Sequence, residues 1–241
     1  SYVAEGPVSG NWVTPLVANN TGELYAGFNH LYKLANSLWT QVSNFNFGGN
    51  IAQIEIDPSD NNIIYVSRGL NLYKTINNGS VFTNLNVSFT GSSISSIEVN
   101  NHNSAIIYVT TSGSNGKVYK SVNGGTSWSD ISSNLPAESK NVVRHQKYNA
   151  QNPIYVGTYL GVYYLDDTDS NWQVFSTNLP NAEVTDLEIT EIDGIISAST
   201  YGRGVWQSAI PVVLPSTDLS LLEISQPLTS VTCGEVSPII K

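Results

Sequence analysis

The feature that most limits what this chain can fold into is a repeated unit, clearest in the eleven residues VYKSVNGGTSW, Val118 to Trp128. A short strand, Val118 to Lys120, runs into a tight turn at Asn123, Gly124 and Gly125, and the chain leaves through Trp128. Asn accepts hydrogen bonds from nearby amides and tolerates left-handed geometry, and Gly supplies positive φ. Ser121 and Ser127 stand where they can tie the two ends of the turn together. This is hairpin chemistry with a large apolar plug behind it.

The unit recurs along the chain. A first strand carries Tyr25, Tyr65, Tyr108 or Tyr155, and a second carries Tyr32, Tyr73, Tyr119 or Tyr163. A polar turn then leads to a closing aromatic, Trp39, Phe82, Trp128 or Trp172. All three series step by about 40 to 47 residues, the size of a four-stranded propeller blade. A fifth unit, VTDLEITEIDGIISASTYGRGVWQSAI, has Trp206 in the second-tyrosine position and stops without a closing hairpin. The expected fold is therefore an all-β propeller with four full blades and a three-stranded fifth. It is either part of a larger propeller or a closed five-bladed ring, with Ser1 to Gly10 or Pro211 to Pro215 supplying the missing outer strand. An open seam would expose strand edges and apolar faces.

Composition agrees with strands and turns. Of 241 residues 40% are hydrophobic and 12% charged, enough for a large core. A net charge of −9 and a pI near 4.6 argue against nucleic acid or anionic lipid as partner, since both need a basic footprint. The one cysteine, Cys233, has no internal disulfide partner, and no Cys/His cluster has zinc spacing. No run of about twenty apolar residues exists to insert into a membrane. The chain starts at Ser1 with neither an initiator Met nor a signal-peptide core, as a processed or excised piece of a longer protein would. Residues 1–210 read as the blades, 211–217 as a Pro-rich linker, and 218–241 as the first strands of a second β domain.

The string Ser121-Val-Asn-Gly-Gly125-Thr-Ser-Trp128 resembles an Asp-box, or BNR repeat, of pattern Ser-x-Asp-x-Gly-x-Thr-Trp. Thr75, Asn77, Gly79, Val81 and Phe82 form a second copy, and Asp167 to Trp172 a degenerate third. The ending TYGRGVWQSAI is similar to the last blade of sortilin-type and xyloglucanase-type propellers. The whole looks like the C-terminal half of the Asp-box propellers that Bacteroidetes secrete, which implies an extracellular address and makes residues 218–241 the start of an immunoglobulin-like domain. Asn77 and Asn123 stand where the family has Asp, and either residue can accept the turn's amide hydrogen bonds. In this family the box is a folding device, so Asn77, Gly79, Phe82, Ser121, Asn123, Gly125, Trp128, Asp167 and Trp172 are expected to be structural. No cofactor is implied; Ca²⁺ at Asp166, Asp167 and Asp169 is the one metal that closely spaced carboxylates would suit.

In a propeller the loops joining strands two and three share one face with the blade-to-blade connections. Here those loops carry Phe28, His30, Arg68, Tyr159, Tyr201 and Arg203. Rings stack on the apolar faces of sugars, and Arg pairs with carboxylates or hydroxyls, so these six are the candidate ligand-binding residues. No catalytic residue is assigned. Glu138 and Glu183 are the clearest carboxylates in the blade-to-blade loops, short of the flanking pair a glycosidase needs. Arg68, Arg144 and Arg203, from three different blades, are placed as a carboxylate clamp would be, but no Tyr/Glu nucleophile pair accompanies them. His30, His102 and His145 are scattered. Two functions follow. The first is a non-catalytic binding or adhesion module of a secreted multidomain protein, recognising glycan or protein through the loop face. The second is the C-terminal propeller half of a secreted hydrolase whose catalytic residues lie in other blades, the remaining parts of the parent protein then being its partners.

Overall fold

A computed structural model describes residues 8–85 and 87–212, so the expected second β domain and Cys233 lie outside the described residues. Among these the chain is all strand and turn. It forms five antiparallel sheets arranged as the blades of a propeller, each strand pairing with its neighbour in sequence. Blade 1 contains β1 (Leu16–Ala18), β2 (Leu24–Gly27), β3 (Leu31–Ala35) and β4 (Leu38–Gln41). Blade 2 contains β5 (Gln53–Ile56), β6 (Ile64–Arg68), β7 (Asn71–Thr75) and β8 (Thr83–Asn84). Blade 3 contains β9 (Ile94–Val99), β10 (Ile107–Thr111), β11 (Val118–Ser121) and β12 (Ser129–Asp130). Blade 4 contains β13 (Lys140–His145), β14 (Ile154–Thr158), β15 (Gly161–Leu165) and β16 (Gln173–Val174). Blade 5 has, among the described residues, only β17 (Val184–Thr190), β18 (Ile195–Thr200) and β19 (Gly204–Ala209). The inner strands β1, β5, β9, β13 and β17 pack each on the next.

The two tyrosine series have opposite parity, and that parity joins the blades. In blade 2, Tyr65 pairs with Lys74 while Tyr73 pairs with Val66, so the tyrosines point to opposite faces. Tyr65 and Leu72 pack forward into the core shared with blade 3, beside Ile97, Val99, Ile107 and Val109. Tyr73 packs backward with Ile54, Ile64 and Val66 against Tyr25 and Leu31 of blade 1. Both faces are buried, so the strands read as runs such as IIYV rather than as strict alternation. A lysine lies over the forward tyrosine in three blades: Lys33 on Tyr25, Lys74 on Tyr65 and Lys120 on Tyr108, at 5.2–5.6 Å from the ring centres.

The polar turns hold by side chains. In blade 3 the Gly125 amide donates to Ser121 Oγ at 2.9 Å, and the Ser127 amide donates to Asn123 Oδ1 at 2.9 Å. Blade 2 repeats this with Gly79 on Thr75 Oγ1 at 3.2 Å and Val81 on Asn77 Oδ1 at 3.0 Å. Blade 4 has Leu165 where Ser121 sits and builds a different turn. There Asp166 Oδ1 accepts the Thr168 and Asp169 amides, while Asp167 Oδ2 accepts from Asn152. Asp167 thus grips the neighbouring loop, and Asp166 holds the turn. Blade 1 closes through Asn36 and Ser37, at φ 51° and 63°, a two-residue hairpin of the primed kind.

The closing aromatics of blades 2, 3 and 4 each pack on the segment that trails the previous blade. Phe82 meets Phe45 and Phe47. Trp128 meets Phe89 edge-on at 5.1 Å. Trp172 joins Ile131 and Leu135, with its indole N–H donating to the Ile131 carbonyl at 2.7 Å. Between blades 3 and 4, the buried Lys140 ammonium donates to the carbonyls of Gly116, Pro136 and Glu138 at 2.6–3.1 Å. Burial lowers its pKa, and the three carbonyls satisfy all its donors.

Trp172→Ala should therefore cost about 3–5 kcal/mol, the usual range for emptying a large aromatic site. Gly125 has φ 92°, and a Cβ there would lie 2.7 Å from Leu85 of the previous blade, so Gly125→Ala should cost about 1–3 kcal/mol. Gly22, also at positive φ but facing open space, should lose about 1 kcal/mol or less. Urea denaturation of the three variants checks the order; equal losses at Gly22 and Gly125 would contradict the packing account.

Candidate functional site

Antiparallel connectivity places the starts of the inner strands and the loops between second and third strands at one end of the propeller. At this end blades 3, 4 and 5 each carry an irregularity on the inner strand. The register shifts between β9 and β10, between β13 and β14 and between β17 and β18, leaving Ser95, Asn141 and Thr185 as the extra residues. Such bulges re-aim a side chain and end regular pairing. Ser95 Oγ donates to the Lys140 carbonyl, and Asn141 Nδ2 donates to the Val184 carbonyl at 2.9 Å. Each thus ties its blade to the next.

All three bulge residues line an axial cavity of about 620 Å³ bounded by the inner strands of all five blades. Its wall carries Gln53, Glu55, Ser96, Glu98, Arg144 and Asp186, with Val13 and Leu16 on the blade 1 side. Glu55, Glu98 and Arg144 occupy one register column, each opposite the first tyrosine of its blade, Tyr65, Tyr108 and Tyr155. Each reaches toward the next blade. Glu55 accepts the Val99 amide at 3.4 Å, Glu98 accepts the His145 amide at 2.9 Å, and Arg144 donates to Asp186 at 3.1 Å. Arg144 also stands 3.9 Å from Glu98.

Burial dominates the electrostatics of this column. It pushes Glu98 up to about 7 against the opposing pull of Arg144. Glu55 is raised well above the carboxylate range by burial first and by the nearby Glu98 second. Two carboxyl groups so placed resist carrying two charges at neutral pH. The cavity then presents carboxylic acids that donate as well as accept hydrogen bonds, an arginine and several hydroxyl and amide groups.

The six residues expected to bind ligand lie outside the cavity wall. Phe28 is 7% exposed and packs edge-on against Tyr32 and Trp39, so it serves the blade core. His30 Nδ1 faces the Phe45 carbonyl at 3.0 Å. Arg68 is exposed and lies against Gly48 and Gly49, the connection from blade 1. Tyr159, Tyr201 and Arg203 are exposed on the loops of blades 4 and 5. Trp12, four residues before β1, is wholly exposed at 103%. The three arginines form no clamp: Arg144 is held in the axial column, Arg68 ends β6 and Arg203 sits in an exposed turn. Glu183 accepts from Asn141 at 3.0 Å, while Glu138 keeps one buried oxygen unpaired. Asp166 and Asp167 use their oxygens on the turn and on Asn152, and among the described residues no three His, Cys, Asp or Glu side chains gather to hold a metal.

The sequence did carry a signal for the missed column. The inner strands read Ile-Glu-Ile at 54–56, Ile-Glu-Val at 97–99, Val-Arg-His at 143–145 and Leu-Glu-Ile at 187–189. A charged residue follows an apolar one at this point in blades 2 to 5, while blade 1 has Val17 there.

The fold and axial funnel define a β-propeller. It is similar to the GH74 enzyme of Niastella koreensis, with a TM-score of 0.70 and 16% identity, over 86% of this chain and 36% of that one. The GH74 xyloglucanase of Xanthomonas campestris gives 0.67 and 17%, over 86% of this chain and 37% of that one. The extracellular domain of a putative hybrid two-component system from B. thetaiotaomicron gives 0.61 and 15%, over 83% and 29%. The chain thus spans about a third of the length of each. No protein-family model and no curated protein matches the sequence, and at these identities the likeness establishes the fold.

The raised pKa of Glu98 means the folded protein binds more protons than the unfolded chain between about pH 4.5 and 7, so this group's contribution to stability falls as pH rises through that window. His145, buried neutral and lowered to about 4, acts oppositely: its contribution rises from pH 4 to 6.5. Glu98→Gln keeps an acceptor for the His145 amide and removes only the first effect. The stability of the variant relative to the parent should climb from pH 4.5 to 7 and then level off. A difference independent of pH in urea titrations would overturn the assignment.

Proposed function

We propose that this chain is a non-catalytic glycan-binding module whose ligand enters the axial funnel from the loop face. One observation carries the reading: a cavity large enough for one or two sugar rings, walled by carboxylic acids, Arg144, Gln53 and Ser96, opens on the face that bears Trp12, Tyr159 and Tyr201. Sugars offer hydroxyls that both donate and accept, which protonated carboxyls and amides match, and apolar ring faces that exposed aromatics stack against. Glu98, pushed up to about 7 by burial, carries only part of its charge at neutral pH, which weakens the pull on a cation relative to an uncharged ligand. The structural neighbours include a xyloglucanase, which supports a carbohydrate ligand by analogy of fold alone.

The paired Ser/Thr and Asn contacts of blades 2 and 3 support membership of the Asp-box class. An extracellular address within a multidomain parent, with residues 211–217 as linker and 218–241 opening an immunoglobulin-like domain, belongs to the same reading.

A panel of neutral and acidic polysaccharides tested against the full chain examines this. A neutral glucan-type or xylan-type chain should bind. Gln53→Ala, and separately Tyr159→Ala with Tyr201→Ala, should each weaken binding by about tenfold, roughly the loss of one good hydrogen bond or stacking contact. Affinity should drop above pH 7 as Glu98 ionises, and Glu98→Gln should remove the drop. Binding confined to acidic polymers, or unchanged in all three variants, would rule the funnel out.

A further inference from the structure

Between blades 4 and 5 lies a second cleft, of about 410 Å³, lined by Val162, Phe175, Leu179, Leu187, Ile196, Ala198 and Trp206 among others. The internal repeat shows what such a cleft holds. The segment Ile131-Ser-Ser-Asn-Leu-Pro136 trailing blade 3 reappears as Phe175-Ser-Thr-Asn-Leu-Pro180 trailing blade 4. The local bonds repeat too. Ser132 Oγ accepts the Val118 amide at 2.9 Å and Ser176 Oγ accepts the Val162 amide at 2.7 Å. Leu135 and Leu179 each donate to the residue three before at 2.9 and 3.0 Å.

By register, Leu187, Ile196, Ala198 and Trp206 of blade 5 correspond to Val143, Ile154, Val156 and Tyr163 of blade 4. The cleft between blades 3 and 4 therefore has the same walls, and Trp172 fills it, 3% exposed. Asn134 there grips the backbone on both sides of the amide plane, accepting from Trp172 N at 2.8 Å and donating to Trp172 O at 2.9 Å. Asn178, its counterpart, has no hydrogen-bond partner among the described residues. The edge strand β19 beside the cleft is exposed along its whole length, and Trp206 is 41% exposed.

We propose that this cleft and the β19 edge form a docking site for a tryptophan-bearing β-strand supplied by a partner polypeptide. The strand would pair with β19 as β16 pairs with β15, its residues one and two after the tryptophan opposite Gln207 and Trp206. The indole enters the cleft with its N–H on the Phe175 carbonyl, and Asn178 takes both backbone groups of the tryptophan. Strand addition of this kind combines main-chain bonds with one deep side-chain pocket. Residues 210–212 leave the edge instead of turning back along it. The Ile210 amide donates to the Gly194 carbonyl, and Gln146 and Asn149 hold the Pro211 carbonyl below blade 4. Residues 1–7 and 213–241 contain no Trp, so they lack the side chain that the cleft fits.

The test uses the full chain and a synthetic peptide, Ser-Asn-Trp-Gln-Val-Phe-Ser, copied from positions 170–176, beside the same peptide with Ala for Trp. Fluorescence anisotropy of the labelled peptides gives affinity, and hydrogen exchange gives the location. The Trp peptide should bind and slow exchange at β19 amides. The Ala peptide should bind at least about tenfold more weakly, as befits a buried anchor. Asn178→Ala should weaken binding several-fold, and Ala198→Leu, which fills the floor of the cleft, should abolish it while its denaturation midpoint shows it folded. Equal binding of both peptides, or no binding, would overturn the proposal. Slow exchange in the free protein of the β19 amides that face away from β18 would do the same, by showing that the chain's own residues 1–7 or 213–241 already cover the edge.

Discussion

No blade of this protein owns a core. Each hydrophobic cluster but one is assembled from the forward face of one sheet and the backward face of the next, and the closing aromatics of blades 2, 3 and 4 are pressed onto the tails of their predecessors. Everything else depends on that interlock. A four-stranded sheet with two apolar faces is not stable in water alone, but two such sheets bury about 1.5–3 kcal/mol for each large side chain they share. The exception is the backward face of blade 1, where Ala26, Phe28, Tyr32 and Trp39 cover one another.

The interlock also builds the axial column. Charges at the inner strands cannot sit in the clusters, so in blades 2, 3 and 4 they occupy the register position opposite the first tyrosine and reach across to the neighbouring strand. The bulges at Ser95, Asn141 and Thr185 act alongside them by freeing one side chain per blade at the rim. The chemistry of the funnel is thus a by-product of how the blades are joined, and this is why the carboxyl groups in it are buried enough to be held partly neutral.

Blade number, strand order and the three strands of the last blade were legible in the sequence because tyrosines, turns and closing aromatics recur at nearly constant spacing. The site was less legible, and parity explains why. Phe28 sits in a loop by sequence, but it continues the alternation of Ala26, and that places its ring on the same face as Tyr32. Glu98 and Arg144 lie within strands, where charged residues are easily taken for solvent-facing positions. Whether a strand residue faces water or an axis depends on how the five sheets are set around a common centre, a long-range property that no local pattern encodes. In the fourth turn, replacement of Ser or Thr by Leu165 removed the acceptor that the other copies use, and the turn re-formed around Asp166 instead of Asp167.

Lys140 gives the molecule a chemical timer. Its amine has all three protons committed to carbonyls that belong to the blade 3 loop and to the connection into blade 4, whereas the other lysines among the described residues are only half-buried. An amine-reactive reagent can reach Lys140 only when those two blades part. The rate of its labelling then reads the opening of a single seam in a structure whose other seams remain shut.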